Sequence, residues 1–137
     1  MDAIDPGHVY DLIQLGSETK QRIIFVKRSG GAIQYEKEWP GVQTQEVLRV
    51  LIDRTKYLES ILPCVETEDT LWHLRMALFM YEARAYRRKM ESVNRKDSSH
   101  DDSARAHSWR DNPYHDVPFN EQDIEMRPIG NDGHILI

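Results

Sequence analysis

The chain has 137 residues, of which 39% are hydrophobic and 30% charged, so its composition fits one small domain with a solvated portion. No apolar run approaches the roughly 18 residues of a membrane-spanning helix, and the acidic N-terminus lacks the apolar stretch of a signal peptide, which predicts a cytoplasmic protein. The single cysteine, Cys64, excludes an intrachain disulfide.

The first predicted element is a β-hairpin. Residues 22–27 are rich in β-branched and aromatic side chains, which favours a strand, and residues 32–37 are its expected return strand. Between them lies Ser29-Gly30-Gly31, whose glycines tolerate the positive φ of a tight turn. Residues 9–13 fit either a short strand or a helical turn.

Helix one is predicted from Thr44, as N-cap, to Leu62, because Pro63 stops it. Arg54 lies within its apolar arc, so this cation needs an ion pair, with Glu82 or Glu46, or a bound ligand. The arc is Val47, Leu48, Val50, Leu51, Ile52, Leu58, Ile61 and Leu62. The opposite side is polar: Glu46, Arg49, Asp53, Lys56 and Ser60.

Helix two is predicted from about Glu68 to Val93, with Thr67 as N-cap, and its short connection predicts an antiparallel helical hairpin. One apolar stripe is Leu71, Leu74, Leu78, Tyr81 and Ala85, and a second is Trp72, Met76, Phe79, Ala83, Tyr86 and Met90. A thin charged line separates them at seven-residue spacing: Arg75, Glu82 and Lys89. The second stripe needs a partner, either the β-hairpin or another chain, and we favour oligomerisation.

The last 41 residues differ in charge from the rest. Residues 97–137 hold nine acids and three arginines, a net charge of −6, which leaves residues 1–96 at +1 in a chain of −5. Without a long hydrophobic period, this segment is predicted to be a mostly irregular acidic tail, and the hairpin is expected to stay folded when it is removed after Lys96. Spaced anchors suit a tail that lies over the folded body or binds another protein: Trp109, Tyr114, Phe119 and residues 135–137.

The predicted fold is therefore α+β in three parts. Residues 1–42 form a small N-terminal β element, residues 43–96 a two-helix antiparallel hairpin for oligomerisation and ligand binding, and residues 97–137 the tail.

Cations cluster towards the end of helix two. They either complement the helix dipole or form an anion site, in which Arg84, Arg87 and Arg88 share one sector and meet one phosphate-bearing ligand. Aromatic rings for stacking on a base lie on the same helices: Tyr57, Tyr81 and Tyr86. Lys27 and Arg28 form either an ordinary charged hairpin tip or a phosphate-touching loop beside the glycines.

Signatures of other chemistry are missing from the sequence. The six histidines have no rigid zinc-ligand spacing, and no catalytic serine elbow, kinase set or HExxH motif is present, so we expect no enzyme, no metal and no cofactor. The acidic balance and the short basic stretch also disfavour sequence-specific DNA binding, and no nucleic acid polymer is expected as partner; binding of RNA or a single strand by the basic end of helix two is the weaker alternative.

The hairpin carries a spaced pattern over residues 44–93 that is not catalytic. Its segments are LIDR at 51–54, PC at 63–64, ET at 66–67, LRMAL at 74–78, EAR at 82–84 and RR at 87–88. This pattern resembles a family of small phage helical-hairpin proteins, the anti-defence sponges that sequester the cyclic nucleotide signals of bacterial cyclic-oligonucleotide and Thoeris immunity.

The resemblance implies a non-enzymatic binder that assembles as a homo-oligomer, commonly a hexamer, and holds intact cyclic oligonucleotides or cyclic ADP-ribose isomers between subunits in the host cytoplasm. By match to the pattern, Arg54, Arg84, Arg87 and Arg88 are the implied phosphate contacts. The alternative is a phage structural or protein-interaction module whose hairpin only oligomerises.

Overall fold

The computed structural model describes residues 1–30, 35–97 and 117–136, and it confirms the α+β class. Antiparallel β-strands come first and two helices that pack together follow. Contacts divide the chain into two compact units, Met1–Val47 and Leu48–Ile137, where the sequence predicted three parts. Within the described residues, no helix is long and apolar enough to span a membrane.

The described residues of the N-terminal unit contain five strands, more than the single predicted hairpin. Three of them form an antiparallel sheet in chain order: β1 (Asp2–Asp5), β2 (Val9–Ile13) and β3 (Lys20–Ile24). The other two pair with each other: β4 (Lys27–Gly30) and β5 (Tyr35–Trp39). Residues 9–13 are thus a strand and not a helical turn.

The expected strand at residues 22–27 is divided in the structure. Its first half belongs to β3, which pairs antiparallel with the preceding strand β2, so that Tyr10 faces Ile23. Its last residue, Lys27, begins β4 and faces Trp39 of β5. Ser29 and Gly30, which were expected in the hairpin turn, are paired residues of β4, and residues 31–34 are outside the described residues. β-Propensity identified this stretch as extended, but pairing also depends on residues distant in sequence.

A close backbone approach joins β3 to the chain ahead of the helices. The Val26 amide donates to the Val42 carbonyl at 3.0 Å, and the Val42 amide donates to the Ile24 carbonyl at 2.8 Å. A Cβ at Gly41 would overlap the backbone of Phe25, so only glycine fits there.

The two helices are α1 (Thr44–Ile61) and α2 (Val65–Asp97), and Pro63 lies between them as predicted. Their N-caps differ from the predicted residues. The Gln43 carbonyl accepts the Glu46 amide at 3.1 Å, so α1 is capped one residue before Thr44. The Cys64 carbonyl accepts the amides of Thr67 and Glu68 at 3.2 and 3.1 Å, so Thr67 lies inside the first turn of α2.

The middle of the second apolar stripe of α2 is covered by the chain's own C-terminal residues, while Trp72 and Met90 at its ends are exposed. The Phe119 ring packs edge-on against Phe79 and Tyr86, with ring centres 5.9 and 6.3 Å apart. Residues 117–136 therefore lie over the folded body, whereas the anchors at 109, 114 and 137 are outside the described residues. The buried core of this unit is Ile52, Leu78, Phe79, Phe119, Ile124 and Ile135.

The charged line of α2 is the docking line for these residues. Arg75 pairs with Glu125, Lys89 lies 3.9 Å from Asp132, and the Ile135 amide donates to Glu82 at 3.3 Å. The prediction that the hairpin folds without the tail assumed that its core lies upstream of residue 97, and this assumption was wrong, because half of the buried core cluster comes from residues 117–136.

The apolar arc of α1 is split between the core and solvent. Leu48 and Ile52 pack into the core, and on the same side of the helix the partly buried Arg49 pairs with Glu82 and the exposed Lys56 with Glu125. Val47 is half-buried and the rest of the arc is exposed, with Val50 66% and Leu62 74% exposed. We call this exposed set the outer face of α1: Val50, Leu51, Arg54, Tyr57, Leu58, Ile61 and the adjoining Leu62.

Candidate functional site

Two exposed arginines on one side of α2 are the strongest candidate for ligand contact. Arg84 and Arg88 are one helical turn apart, and Tyr81 is half-exposed one turn before Arg84. Within the described residues, neither arginine has an ion pair or hydrogen bond. Like charges four residues apart destabilise a helix by a few tenths of a kcal/mol, so this pair does not serve helix stability. We call Tyr81, Arg84 and Arg88 the arginine face.

Arg87 and Tyr86 lie apart from this face. Adjacent helical residues are rotated by about 100°, so Arg87 points away from Arg88, contrary to the predicted single sector. The Arg87 Nε donates to the Ala83 carbonyl at 3.4 Å, and the side chain is half-buried. The Tyr86 ring packs against Phe119 in the core. Of the three predicted arginines, Arg84 and Arg88 thus share a surface.

Arg54 and Tyr57 occupy the middle of the outer face of α1. The Arg54 guanidinium lies 5.3 Å from the centre of the Tyr57 ring, a cation–π contact. The expected ion pair to Glu82 is absent, because that carboxylate binds Arg49. Arg54 is therefore a solvent-exposed cation surrounded by exposed apolar side chains.

One chain does not unite Arg54 with the arginine face. The Arg49–Glu82 pair fixes how the two helices align, and Arg54 is five residues from Arg49 towards the helix connection. Arg88 is six residues from Glu82 in the other direction along the hairpin. At 1.5 Å per helical residue, Arg54 and Arg88 are roughly 16 Å apart along the axis.

Lys27 and Arg28 belong to the N-terminal unit, and both have acidic partners there. The Lys27 Nζ lies 2.8 Å from Asp5 Oδ2, and an Arg28 Nη2 lies 3.1 Å from Glu38 Oε1. These contacts fit the interpretation of a charged hairpin, in which the cations are neutralised by neighbouring strands.

The sequence did not predict a buried charge network around Glu82. Its carboxylate is nearly inaccessible and accepts from the Arg49 Nη2 at 2.5 Å and the Ile135 amide at 3.3 Å, while the His134 Nδ1 lies 3.4 Å away. Arg49 also donates to the Gly133 carbonyl at 3.2 Å. Burial alone raises the pKa of the Glu82 carboxyl, but His134, the Ile135 amide and Arg49 outweigh it, so the pKa is lowered from its ordinary value.

A cavity of about 250 Å³ lies beside this network, between α2 and the C-terminal segment. Tyr86 and Phe119 form its aromatic wall, His134 borders it, and Lys89 and Asp132 stand at its rim. The seven-residue spacing of Arg75, Glu82 and Lys89 was the sequence signal for this charge network. The acidic and backbone partners of these three residues lie 40 or more residues away in the sequence, so the spacing alone did not identify them.

No cluster of three histidine, cysteine, aspartate or glutamate side chains suited to a metal occurs in residues 1–30, 35–97 and 117–136. Comparison with models of known families, with curated proteins and with solved structures finds no match to this chain.

Proposed function

We propose that this protein is a non-enzymatic binder that sequesters a cyclic nucleotide signal. The observation that carries the proposal is the arginine face, where two cations without acidic partners lie next to an exposed ring. Guanidinium groups bind phosphate through paired hydrogen bonds, and a tyrosine ring stacks on a base. These are the two kinds of contact that a cyclic nucleotide requires.

The outer face of α1 supports a homo-oligomer as the binding form. An exposed apolar helix face of this length is typical of an interaction surface, and Arg54 lies in its middle. In this proposal a second copy packs there, and Arg54 of one chain and the arginine face of another contact the same ligand. We propose a site shared between subunits; the resemblance to the sponges makes a hexamer one form to test.

The biological role follows from mass action. A binder in excess over the signal, with a dissociation constant below the signalling threshold, lowers the free ligand that a host effector meets. We propose that this occurs in the cytoplasm of an infected cell and blocks anti-phage defence. The role rests on the resemblance of residues 44–93 to the sponge family, and the arginine face supplies its chemistry.

The test of binding is a calorimetric screen of the full chain against cyclic dinucleotides, cyclic trinucleotides and cyclic ADP-ribose isomers. We expect one class to bind, and we expect Arg84→Ala or Arg88→Ala to weaken it roughly ten- to a hundredfold, because a hydrogen bond to a charged group contributes about 1.5–3 kcal/mol. Lys56→Ala is the matched control, since Lys56 is an exposed cation on the other side of the same unit. Binding that survives both arginine substitutions would move the site elsewhere.

The second candidate function is a phage structural or protein-interaction module. The outer face of α1 favours it as well, because apolar exposure alone specifies a protein partner and no ligand. Absence of binding to every cyclic nucleotide in the screen, together with a stable oligomer, would favour this function over sequestration.

The outer face of α1 gives a prediction shared by both functions. Ile61→Asp, at a position 61% exposed in one chain, is expected to convert an oligomer into monomers, because it would place a charge in an apolar interface. Multi-angle light scattering measures this, with Met126→Asp, on an exposed residue of the C-terminal segment, as control. An unmodified protein that is monomeric at micromolar concentration would refute the oligomer.

A further inference from the structure

The N-terminal unit contains a cavity of its own that the proposed function does not use. It has a volume of about 440 Å³, within the range of small-molecule sites. Phe25 and Trp39 supply aromatic surface, and the polar side chains are those of Asp5, His8 and Lys27. Few polar groups among apolar and aromatic walls is the usual composition of a site for a small organic ligand.

The polar groups of this cavity have a defined order. The Lys27 ammonium donates to Asp5 Oδ2 at 2.8 Å, and within the described residues Asp5 Oδ1 has no hydrogen bond. A donor therefore stands directly beside an acceptor with spare lone pairs. Both side chains are 43% exposed, so a ligand in the cavity can reach them. Asp5 remains ionised near neutral pH, because the hydrogen bond from Lys27 lowers its pKa.

A second observation comes from His8. Its Nδ1 is buried and has no hydrogen-bond partner among the described residues, although the ring borders the cavity. Because this atom has almost no accessible surface, a ligand in the cavity would meet the rest of the imidazole ring, and its hydrogen-bonding partners would be Asp5 and Lys27.

We propose that this cavity binds a guanine base, as the free base or the nucleoside. The guanine edge presents an acceptor, O6, followed by two N–H donors at N1 and N2, which matches the ammonium of Lys27 followed by the carboxylate of Asp5. A carboxylate accepts two parallel N–H groups in the same way that it accepts an arginine. Phe25 and Trp39 supply ring surface for the flat base.

The same order of groups rejects adenine. Adenine presents an amino donor where guanine has O6, and a lone pair at N1 where guanine has N–H. The first would meet the Lys27 ammonium and the second the Asp5 carboxylate, so both contacts become unfavourable. Specificity then comes from the mismatch with the competing base as much as from the match with guanine.

The experiment is calorimetry of guanosine and adenosine with the full chain. We expect guanosine to bind about ten- to a hundredfold more tightly, the usual discrimination of a paired hydrogen-bond contact to a base. Inosine, which lacks the N2 amino group, should bind more weakly than guanosine to the same unmodified protein, so this arm does not depend on any variant folding. Equal binding of guanosine and adenosine, or no guanosine binding at millimolar concentration, overturns the proposal.

Variants separate this site from the arginine face. Asp5→Asn should weaken guanosine binding about tenfold or more, because one paired oxygen becomes an N–H₂ donor. Asp11→Asn is the matched control, since Asp11 pairs with Arg22 in the same sheet and does not border the cavity. Arg84→Ala should leave guanosine binding unchanged. Loss of guanosine binding with Arg84→Ala, but not with Asp5→Asn, would refute a site in the N-terminal unit.

Discussion

A chain that stops at residue 116 is expected to lose most of its helical circular dichroism at room temperature. The deletion removes Phe119, Ile124 and Ile135, which are half of the buried core cluster, and exposes the rings of α2 that they cover. Truncating one such side chain to alanine costs about 2–5 kcal/mol, and a whole domain has about 5–15 kcal/mol of stability. The three losses together, about 6–15 kcal/mol, are as large as the whole stability of such a domain.

The control for this deletion keeps the full length. Phe119→Ala with Ile124→Ala should lower the free energy of unfolding by several kcal/mol, whereas Met126→Ala, at a residue 84% exposed in the same segment, should change it little. Urea denaturation measures the difference. A truncated chain with the helical signal and unfolding midpoint of the full chain would show that the C-terminal segment is not structural.

Glu82→Ala is the single substitution with the largest expected effect. It leaves the Arg49 guanidinium without its carboxylate and the Ile135 amide without its acceptor, both in the interior of the C-terminal unit. Breaking one side of a buried ion pair costs about 3–5 kcal/mol in the free energy of unfolding.

Asp132→Ala is the matched control for Glu82→Ala, because it removes an acid from the same docking line. Its carboxylate lies 3.9 Å from Lys89 and accepts the His134 amide at 3.2 Å, and both contacts are exposed to solvent, so the expected loss is about 1 kcal/mol, well below that of Glu82→Ala. Equal losses for the two variants would show that the Glu82 network does not hold the segment.

The Glu82 carboxyl predicts how the stability of the protein depends on pH. Its pKa in the folded state lies below the ordinary 4.5, so the folded state releases this proton more readily than the unfolded chain. The resulting stabilisation is complete above the ordinary pKa and is lost as the pH falls through the folded-state value. Chemical denaturation across this acidic range should therefore show a steeper loss for the unmodified protein than for Glu82→Gln.

The helices were predictable because their signals are local. Pro63 marks the break between them, and the apolar spacing on each side predicts an amphipathic helix. What periodicity cannot show is which part of a wide apolar arc faces inwards. In α1 that choice depends on Arg49 and Lys56, whose partners are Glu82 and Glu125, 33 and 69 residues away.

The candidate site was predictable in composition but not in arrangement. Helical geometry places Arg84 and Arg88 together and rotates Arg87 away, yet only the packing of the C-terminal segment shows that Tyr86 belongs to the core. The cavity beside His8 depends on strand register, which brings Asp5 and Lys27 together across 22 residues. No local motif reports such a contact.

The covering of α2 by distant residues has a consequence for synthesis on the ribosome. Phe119 is translated about 40 residues after Phe79, and Ile135 comes 53 residues after Glu82. At 5–20 residues per second, the rings and the carboxylate of α2 stay uncovered for roughly 2–10 s in every nascent chain. During this interval, neighbouring nascent chains on one messenger RNA expose the same apolar residues of α2. Slower translation should therefore increase the fraction of the protein that aggregates.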